Sequence, residues 1–433
     1  MGRIALRTLI TLGGIGVLAL WWTGAIPGFT ATPALTVTTF GELVGLIAGY
    51  LVCVQVLLIA RIPWFERGVG LDRLVSWHRS VGTTVIFLVM THIAFMMLGG
   101  MLADGKNPVG EYISILSAYQ DMWWATIGTL VFFVVGLTSA RLLKSLLPYE
   151  WWYWIHVTTY IAIFLTFLHQ VSSGTNFVAH PVPRAIWILM YVGTALCVVW
   201  WRALLPLVRF ARHDWTVATV VPESPRAVSV WIKGNDIEDL GIRAGNFMMF
   251  RFLTWRHIWS AHPYSISAPP YQGHLRITVA DLGNHSGALR DIRPGTKVIV
   301  EGPHGSFTAE RAKRQQLVLI AGGAGIGPIA ALARDFAGRG FNSVVIYRAR
   351  DVDDMALLDE VRGLPGTRLI VAPGRRSDLG FDPLAPEHLS SLVPDIRGRE
   401  AFLCGPEPMM DTATHSLHAL GVRRIHAEEM SFA

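Results

Sequence analysis

Apolar runs long enough to cross a hydrocarbon core, which takes about 20 helical residues, recur six times in the first half of the chain. They lie near 4–26, 38–60, 76–99, 122–143, 153–172 and 184–205. Beyond about residue 205 the pattern changes. "WTVATVV" and "AVSVWIKG" alternate apolar and polar positions and end in turn residues, as hairpin strands do. "LRITVAD" and "KVIVEGP" read as further strands. From Gln316, "QLVLIAGGAGIGPIAALARDF" is an apolar strand, a glycine turn and a helix, and "NSVVIYRARD" and "AFLCGPEPMM" add two more strand-then-turn units. This succession predicts an open parallel sheet with a nucleotide at its carboxyl edge.

Composition agrees with a membrane half and an aqueous half. Only 16% of residues are charged and 52% are hydrophobic, against about 25% charged in soluble domains. The lipid bilayer is therefore the first partner the chain predicts. The net charge of +6 does not call for nucleic acid, because the basic residues fall on one side of the predicted spans. Arg3, Arg7, Arg61, Arg67, Arg73, Arg141, Lys144, Arg202, Arg209 and Arg212 flank one set of ends, whereas the opposite segments hold little beyond Lys106. By the positive-inside rule the N-terminus and everything after the sixth span are cytoplasmic, which predicts a multi-pass protein of the cell membrane. A signal peptide is the alternative for the first run. Cys53, Cys197 and Cys404 are scattered and form no CxxC pair, which excludes a zinc or iron–sulfur framework.

The spans carry four histidines, His78 and His92 in the third and His156 and His169 in the fifth. Such residues are costly in lipid and are candidates for function. At 1.5 Å per residue the pairs lie about 21 Å and about 19.5 Å apart along their axes. Each helix thus offers one imidazole near either side of the bilayer. His78 facing His156, and His92 facing His169, builds two bis-histidine b-type haem sites, since imidazole is a suitable axial ligand for haem iron. One detail resists. At 100° per residue a 14-residue spacing returns to within about 40° of one face, but a 13-residue spacing misses by about 140°. The fifth helix must be locally tightened, or its haems must be approached from different sides.

The stretches HPYSIS, GPHGSF, AGGAGIGP, CGPEPMM and a terminal SFA occur in that order. With the histidine pairs they make the chain resemble the ferric reductase and NADPH oxidase superfamily, from about residue 38 onwards. The resemblance implies a six-helix transmembrane di-haem domain (1–208), an antiparallel β-barrel domain for FAD (209–312) and an α/β open parallel-sheet domain for NAD(P)H (313–433). It implies that Tyr264 packs on the isoalloxazine, that Ser265 lies by its reactive nitrogen and that His262 helps hold the pyrophosphate. Pro263 and Ser267 belong to the same flavin stretch. Asn284, His285 and Ser286 stand where the family has a second phosphate loop, and Gly302, Pro303, Gly305 and Phe307 lead out of the barrel. Gly322, Gly323, Gly325, Ile326, Gly327 and Pro328 match the nucleotide pyrophosphate turn, although Pro328 replaces the third glycine of GxGxxG. Cys404, Gly405 and Pro406 match the turn beside the nicotinamide, where Cys404 is a candidate for the catalytic set and, more simply, a small packing group. Phe432 matches the aromatic lid on the flavin, with Ala433 trailing it and Met430 where an aromatic is frequent. Arg348, Arg350, Arg375, Arg376 and Ser377 suit a 2′-phosphate, which favours NADPH; Asp351, Asp353 and Asp354 leave NADH possible.

The implied activity is electron transfer from cytoplasmic NADPH through FAD and two b-type haems to an extracytoplasmic acceptor, oxygen or a ferric chelate. A quinone or a periplasmic protein is an alternative acceptor, and a transporter or sensor the non-enzymatic alternative. Eukaryotic members hold oxygen with an Arg in the second helix and a further His one turn beyond the outer ligand; here that turn presents Met96, and the second span carries Glu42 and no Arg. No EF-hand loop is present, and no obligatory protein partner is expected. If Phe432 is the lid, Phe432→Ala should expose the flavin face and ease use of NADH. An unchanged ratio of NADPH to NADH turnover would remove that assignment.

Overall fold

The computed structural model describes residues 2–25, 31–140, 143 and 146–429. The chain divides into two compact units, Met1–Leu204 and Leu205–Ala433.

Among the described residues six helices are long and apolar enough to cross a membrane: Arg3–Thr23, Pro33–Leu58, Arg73–Asp104, Met122–Ser139 and Glu150–Ser173 in the first unit, and Pro181–His213, whose last residues from Leu205 belong to the second. They bear out the six predicted runs; the third is longer than expected, and the fourth helix stops at Ser139. The second span is the most buried of them and packs along the third, while the fifth packs along the fourth. Its sequence explains the close fit. Gly41, Gly45 and Gly49 recur every four residues, a small-residue stripe that lets helix backbones approach. A Cβ at Gly41 would meet Phe95 and Met96 of the third span at 3.0–3.1 Å, and one at Gly49 would lie 2.9 Å from Trp187 of the sixth. The fifth span is broken into Tyr149–Val157 and Thr159–Ser173. At the break the amides of Thr158 and Ile161 donate three residues back, to Ile155 and Thr158, which is 3₁₀ geometry. The helix is thus locally tightened, one of the two arrangements the histidine spacing allows, and each tightened residue adds about 20° of rotation.

The second unit holds two sheets. One is an antiparallel sheet of six strands in the order β1-β2-β5-β4-β3-β6: β1 (Thr216–Ser224), β2 (Ala227–Lys233), β3 (Phe247–Phe252), β4 (His262–Tyr271), β5 (His274–Ala280) and β6 (Val298–His304). A bridge from Thr216 to Lys297 joins its two edges, as a barrel requires. Its core includes Trp215, Val230, Ile232, Phe250, Phe252, Ile266 and Ile277.

The motif HPYSIS is the first part of a strand, since HPYSISAPPY forms the whole of β4. Three prolines are tolerated because the strand changes partner. His262 to Ser265 pair with β3 alone, and Ile266 to Tyr271 pair with β5, with irregular register around Pro269 and Pro270. Each proline therefore removes a donor only where the ladder is one-sided or broken.

The other sheet is wholly parallel, in the order β11-β10-β7-β8-β9: β7 (Gln316–Gly322), β8 (Asn342–Ala349), β9 (Thr367–Pro373), β10 (Glu400–Gly405) and β11 (Ile425–Glu429). Leu317 to Ala321 are completely buried, as in a sheet covered on both faces. The helices used below are α1 (Leu205–His213), α2 (Ile326–Gly338) and α3 (Leu358–Arg362). The sequence-based fold class therefore stands: a six-helix bundle, an antiparallel barrel and an open parallel sheet.

Where β10 begins, a fully buried carboxylate closes the sheet. One oxygen of Glu400 accepts the amides of Lys313 and Arg314 at 2.7 and 3.0 Å, and the other meets His426 Nε2 at 2.7 Å. Glu400→Ala would strand those donors, which should cost about 3 kcal/mol. A lower melting temperature for the second unit would be seen by calorimetry, and an unchanged one would contradict this role.

Candidate functional site

The four span histidines are oriented by their neighbours. His78 Nδ1 donates to the Gln55 carbonyl (3.0 Å) and His92 Nδ1 to the Gly41 carbonyl (2.8 Å). A carbonyl only accepts, so Nδ1 carries the proton and Nε2 keeps its lone pair. The two histidines are 14 residues apart on the third span, and their acceptors are 14 residues apart on the antiparallel second span. Gly45 makes room between them, since a Cβ there would sit 2.6 Å from the His92 ring. On the fifth span, His156 Nδ1 meets Ser139 Oγ at 3.3 Å, and the Trp152 ring lies 5.1 Å from the imidazole. His169 Nδ1 is buried without a hydrogen-bond partner.

The His78 and His156 rings face each other with centroids 6.0 Å apart. Two imidazoles joined through one metal atom, with each nitrogen about 2 Å from it, have centroids about 6 Å apart. Anchored Nδ1 atoms and this separation both fit a bis-histidine haem. His92 lies within electrostatic reach of His169. Trp151 and Trp154 are exposed on the bundle surface, as expected of an interfacial belt.

On the barrel, the start of β4 gathers the predicted flavin residues. The Tyr264 hydroxyl is 3.2 Å from His285 Nδ1, and the rings of His262 and His285 lie 3.5 Å apart. Ser260 Oγ holds His262 Nε2 at 2.8 Å. His257, which sequence reasoning missed, packs its ring 4.6 Å from that of His285. Burial, then the neighbouring His262 and His257, push His285 down to about 3, so its imidazole is neutral at physiological pH. Burial also raises the Tyr264 phenol above its ordinary range. His285 Nε2 is buried without a partner, so this cluster presents an unsatisfied polar atom to a hydrogen-bonding ligand and fits FAD. Ser265 is half-buried on the same strand.

Two expectations change here. Ser267 is fully buried; its hydroxyl donates to the Arg276 carbonyl and accepts from Arg276 Nε and Thr278. It holds protein rather than flavin. The Ser286 hydroxyl closes its own turn, between the Leu282 amide and the Gly283 carbonyl. Gly302 and Gly305 have φ of 136° and 86° and turn the chain out of β6. α1 rests on this corner, with Arg209 donating to the Gly302 carbonyl at 2.5 Å.

In the parallel sheet, chain order reverses between β7 and β10, so the crevice at their carboxyl ends is the switch point where α/β sheets take ligands. The Gly322–Gly323–Gly325 turn, leading into Ile326, Gly327 and Pro328 of α2, follows β7; Cys404–Gly405–Pro406 follows β10. The turns are pressed together. A Cβ at Gly325 would lie 2.1 Å from the Cys404 carbonyl, and one at Gly405 would lie 3.2 Å from Gly322. Only bare backbone fits, which leaves amides and a helix N-terminus for a pyrophosphate.

Cys404 is the third correction. Its thiol is fully buried in the core with Phe402, and burial raises its pKa, so it packs and does no chemistry. Glu428, overlooked in the sequence, pairs in register with Cys404, is 8% exposed, and lies 3.6 Å from a Cβ built on Gly305. No motif marks it, because its neighbours are distant in sequence.

The predicted phosphate arginines partly satisfy one another's surroundings. Arg348 donates to the carbonyls of Ala372 (2.5 Å) and Gly374 (3.0 Å), and Arg376 pairs with Asp382 at 2.7 Å and with Thr412. Arg375 is exposed. Phe432 lies outside the described residues.

Comparison with known proteins supports both halves. Residues 44–167 match the model of the family described as ferric reductase like transmembrane component. The propane 2-monooxygenase reductase component of Rhodococcus jostii is 32% identical over 165 residues, covering 34% of this chain and 45% of that protein. The ferredoxin reductase component of 3-ketosteroid-9-alpha-monooxygenase from Rhodococcus rhodochrous is 29% identical over 225 residues, covering 49% and 63%. The chain thus spans only part of these curated relatives. Among solved structures, the flavohem-like FAD/NAD binding domain of a Vibrio cholerae nitric oxide dioxygenase aligns with 50% of this chain and 97% of its own, at 21% identity and a TM-score of 0.43. Residues 44–167 are thus similar to a ferric reductase like transmembrane component, and the chain is also similar to ferredoxin reductase components, the combination expected from the resemblance to the ferric reductase and NADPH oxidase superfamily.

Proposed function

We propose that this protein carries electrons from cytoplasmic NADPH to an acceptor on the far side of the cell membrane, using FAD and two b-type haems. The observation that carries the reading is the anchoring of His78 and His92 through Nδ1 on one helix, with His156 opposite His78 at 6.0 Å. Bound FAD would supply exchange between a two-electron donor and one-electron carriers, and haem iron the one-electron carriers.

The chain's own residues do the positioning. His78 and His156 would hold the inner haem, and His92 and His169 the outer. Tyr264, Ser265, His262 and His285 would hold the flavin; the neutral His285 offers a hydrogen bond without adding charge. Gly322, Gly323, Gly325 and Gly405 would let the nucleotide approach the backbone, with Arg348, Arg375 and Arg376 towards its 2′-phosphate. Arginine residues clustered at one set of span ends favour a cytoplasmic N-terminus and module.

Oxygen and ferric chelates are the acceptors to be separated. Met96 packs against Gly41 beside His92, and Glu42 accepts the Thr175 hydroxyl at 2.9 Å; neither is a cation that would hold superoxide, which favours the chelate. Reduction of purified protein by NADPH under argon, followed by separate mixing with oxygen and with a ferric chelate, decides between them. Fast haem re-oxidation by iron alone is expected. Fast re-oxidation by oxygen with superoxide release would make it an oxidase, and no haem reduction at all would end the electron-path reading. In His92→Leu, reduction of the external acceptor should be abolished while NADPH still reduces the flavin; full haem content and flux would overturn the ligand assignment.

A further inference from the structure

The strand that carries His262–Ser265 and the helix that follows the glycine turn are tied through one carboxylate. Arg276 on β5 has a side chain only 4% exposed. Its Nε donates to Ser267 Oγ at 3.1 Å, and one Nη donates to the Ser267 carbonyl at 3.3 Å. The same guanidinium grips both oxygens of Glu360 on α3, at 2.5 and 2.9 Å. Glu360 also accepts from Arg334 of α2 at 2.6 Å. Behind Arg276 the Trp231 ring stacks at 5.2 Å, and the Ser229, Thr278 and Ser267 hydroxyls form a buried chain. A Cβ at Gly327 would lie 3.6 Å from both Ser267 Cβ and the Thr278 carbonyl, so the first turn of α2 sits directly on β4 and β5.

The geometry points to Glu360 as a positioning residue for hydride transfer, locking the helix of the pyrophosphate turn to the strand of the flavin motif. This rests on the reading given under Proposed function. Bidentate carboxylate–guanidinium pairs fix orientation as well as energy. The Arg276 guanidinium holds the Glu360 carboxyl below the usual carboxylate range, so the lock is charged and closed at neutral pH. Neither residue stands in a flavin or nucleotide motif, so the role is indirect. It matters because a misplacement of about 1 Å can slow a reaction by about 100-fold.

The test uses full-length protein loaded with haem and FAD. Flavin reduction is followed by rapid mixing across a range of NADPH concentrations in wild type, Glu360→Gln, Glu360→Ala and Arg334→Ala. For Glu360→Ala the rate at saturating NADPH should fall by about 10- to 100-fold. The apparent Kd for NADPH should hardly move, and ferricyanide should re-oxidise photoreduced flavin as in wild type. Glu360→Gln should lie between. Arg334→Ala removes only the outer partner and should give a smaller fall, which keeps the test available if Glu360→Ala does not fold. An unchanged saturating rate in folded Glu360→Ala, or a change confined to Kd or flavin content, would overturn the lock. Wild-type flavin that accepts no hydride from NADPH or NADH would instead overturn the functional reading.

Discussion

An imidazole in hydrocarbon has two nitrogens to satisfy, and the membrane half is organised around that requirement. The second span meets it with backbone rather than side chains. Its Gln55 and Gly41 carbonyls take the Nδ1 protons of His78 and His92. A carbonyl accepts only when it is freed or shared from its own helix ladder and approached closely, and the glycine stripe permits that approach. Substituting any bulk at Gly45 would drive directly into His92. The same constraint fixes the tautomer of His78 and His92, and the tautomer decides which nitrogen would be available to a metal. Helix packing, ring orientation and ligand chemistry are therefore one problem with one solution.

The second unit solves a different problem, which is to bring distant stretches of backbone close together. β4 gives up regular pairing at its prolines so that its first four residues can serve β3 and its last six β5. The turns after β7 and β10 give up side chains so that they can touch. In both places the sequence sacrifices local stability where backbone must be exposed or closely approached. The loss is offset nearby by buried polar closures such as Glu400 and Arg276, whose hydrogen bonds are nearly all internal.

Much of this was legible from the sequence because it is local or periodic. The six spans follow from run length. The histidine spacings follow from counting residues along a helix, which leaves a tightened fifth span as one of two possibilities; the break at Thr158 that tightens it is not visible in the sequence. The glycine turns announce themselves between strands and helices. What stayed hidden depends on pairs far apart in sequence. Ser267 looked like a neighbour of Ser265 in one motif, but β4 changes partner between them, from β3 to β5, and on β5 Arg276 claims the Ser267 hydroxyl. Cys404 looked chemically poised because its turn does; its thiol is on the core side of β10. The stripe of Gly41, Gly45 and Gly49 was present as a four-residue period, but the apolar background of a span conceals it until His92 is seen against it.

The two units share a logic that bears on how electrons could be kept to one path. In each, a group near the expected cofactor is held neutral or satisfied by a fixed partner: Nδ1 of His78 and His92 by carbonyls, His285 by burial beside Tyr264 and two other imidazoles. A buried charge is instead paired outside both motifs, Arg276 with Glu360. A charge in contact with a carrier would stabilise one oxidation state at the expense of the other, and the effect grows as the local dielectric falls. Pairing the two charges keeps their ordering effect while their fields largely cancel. The ion pair can then fix geometry without adding a net charge there.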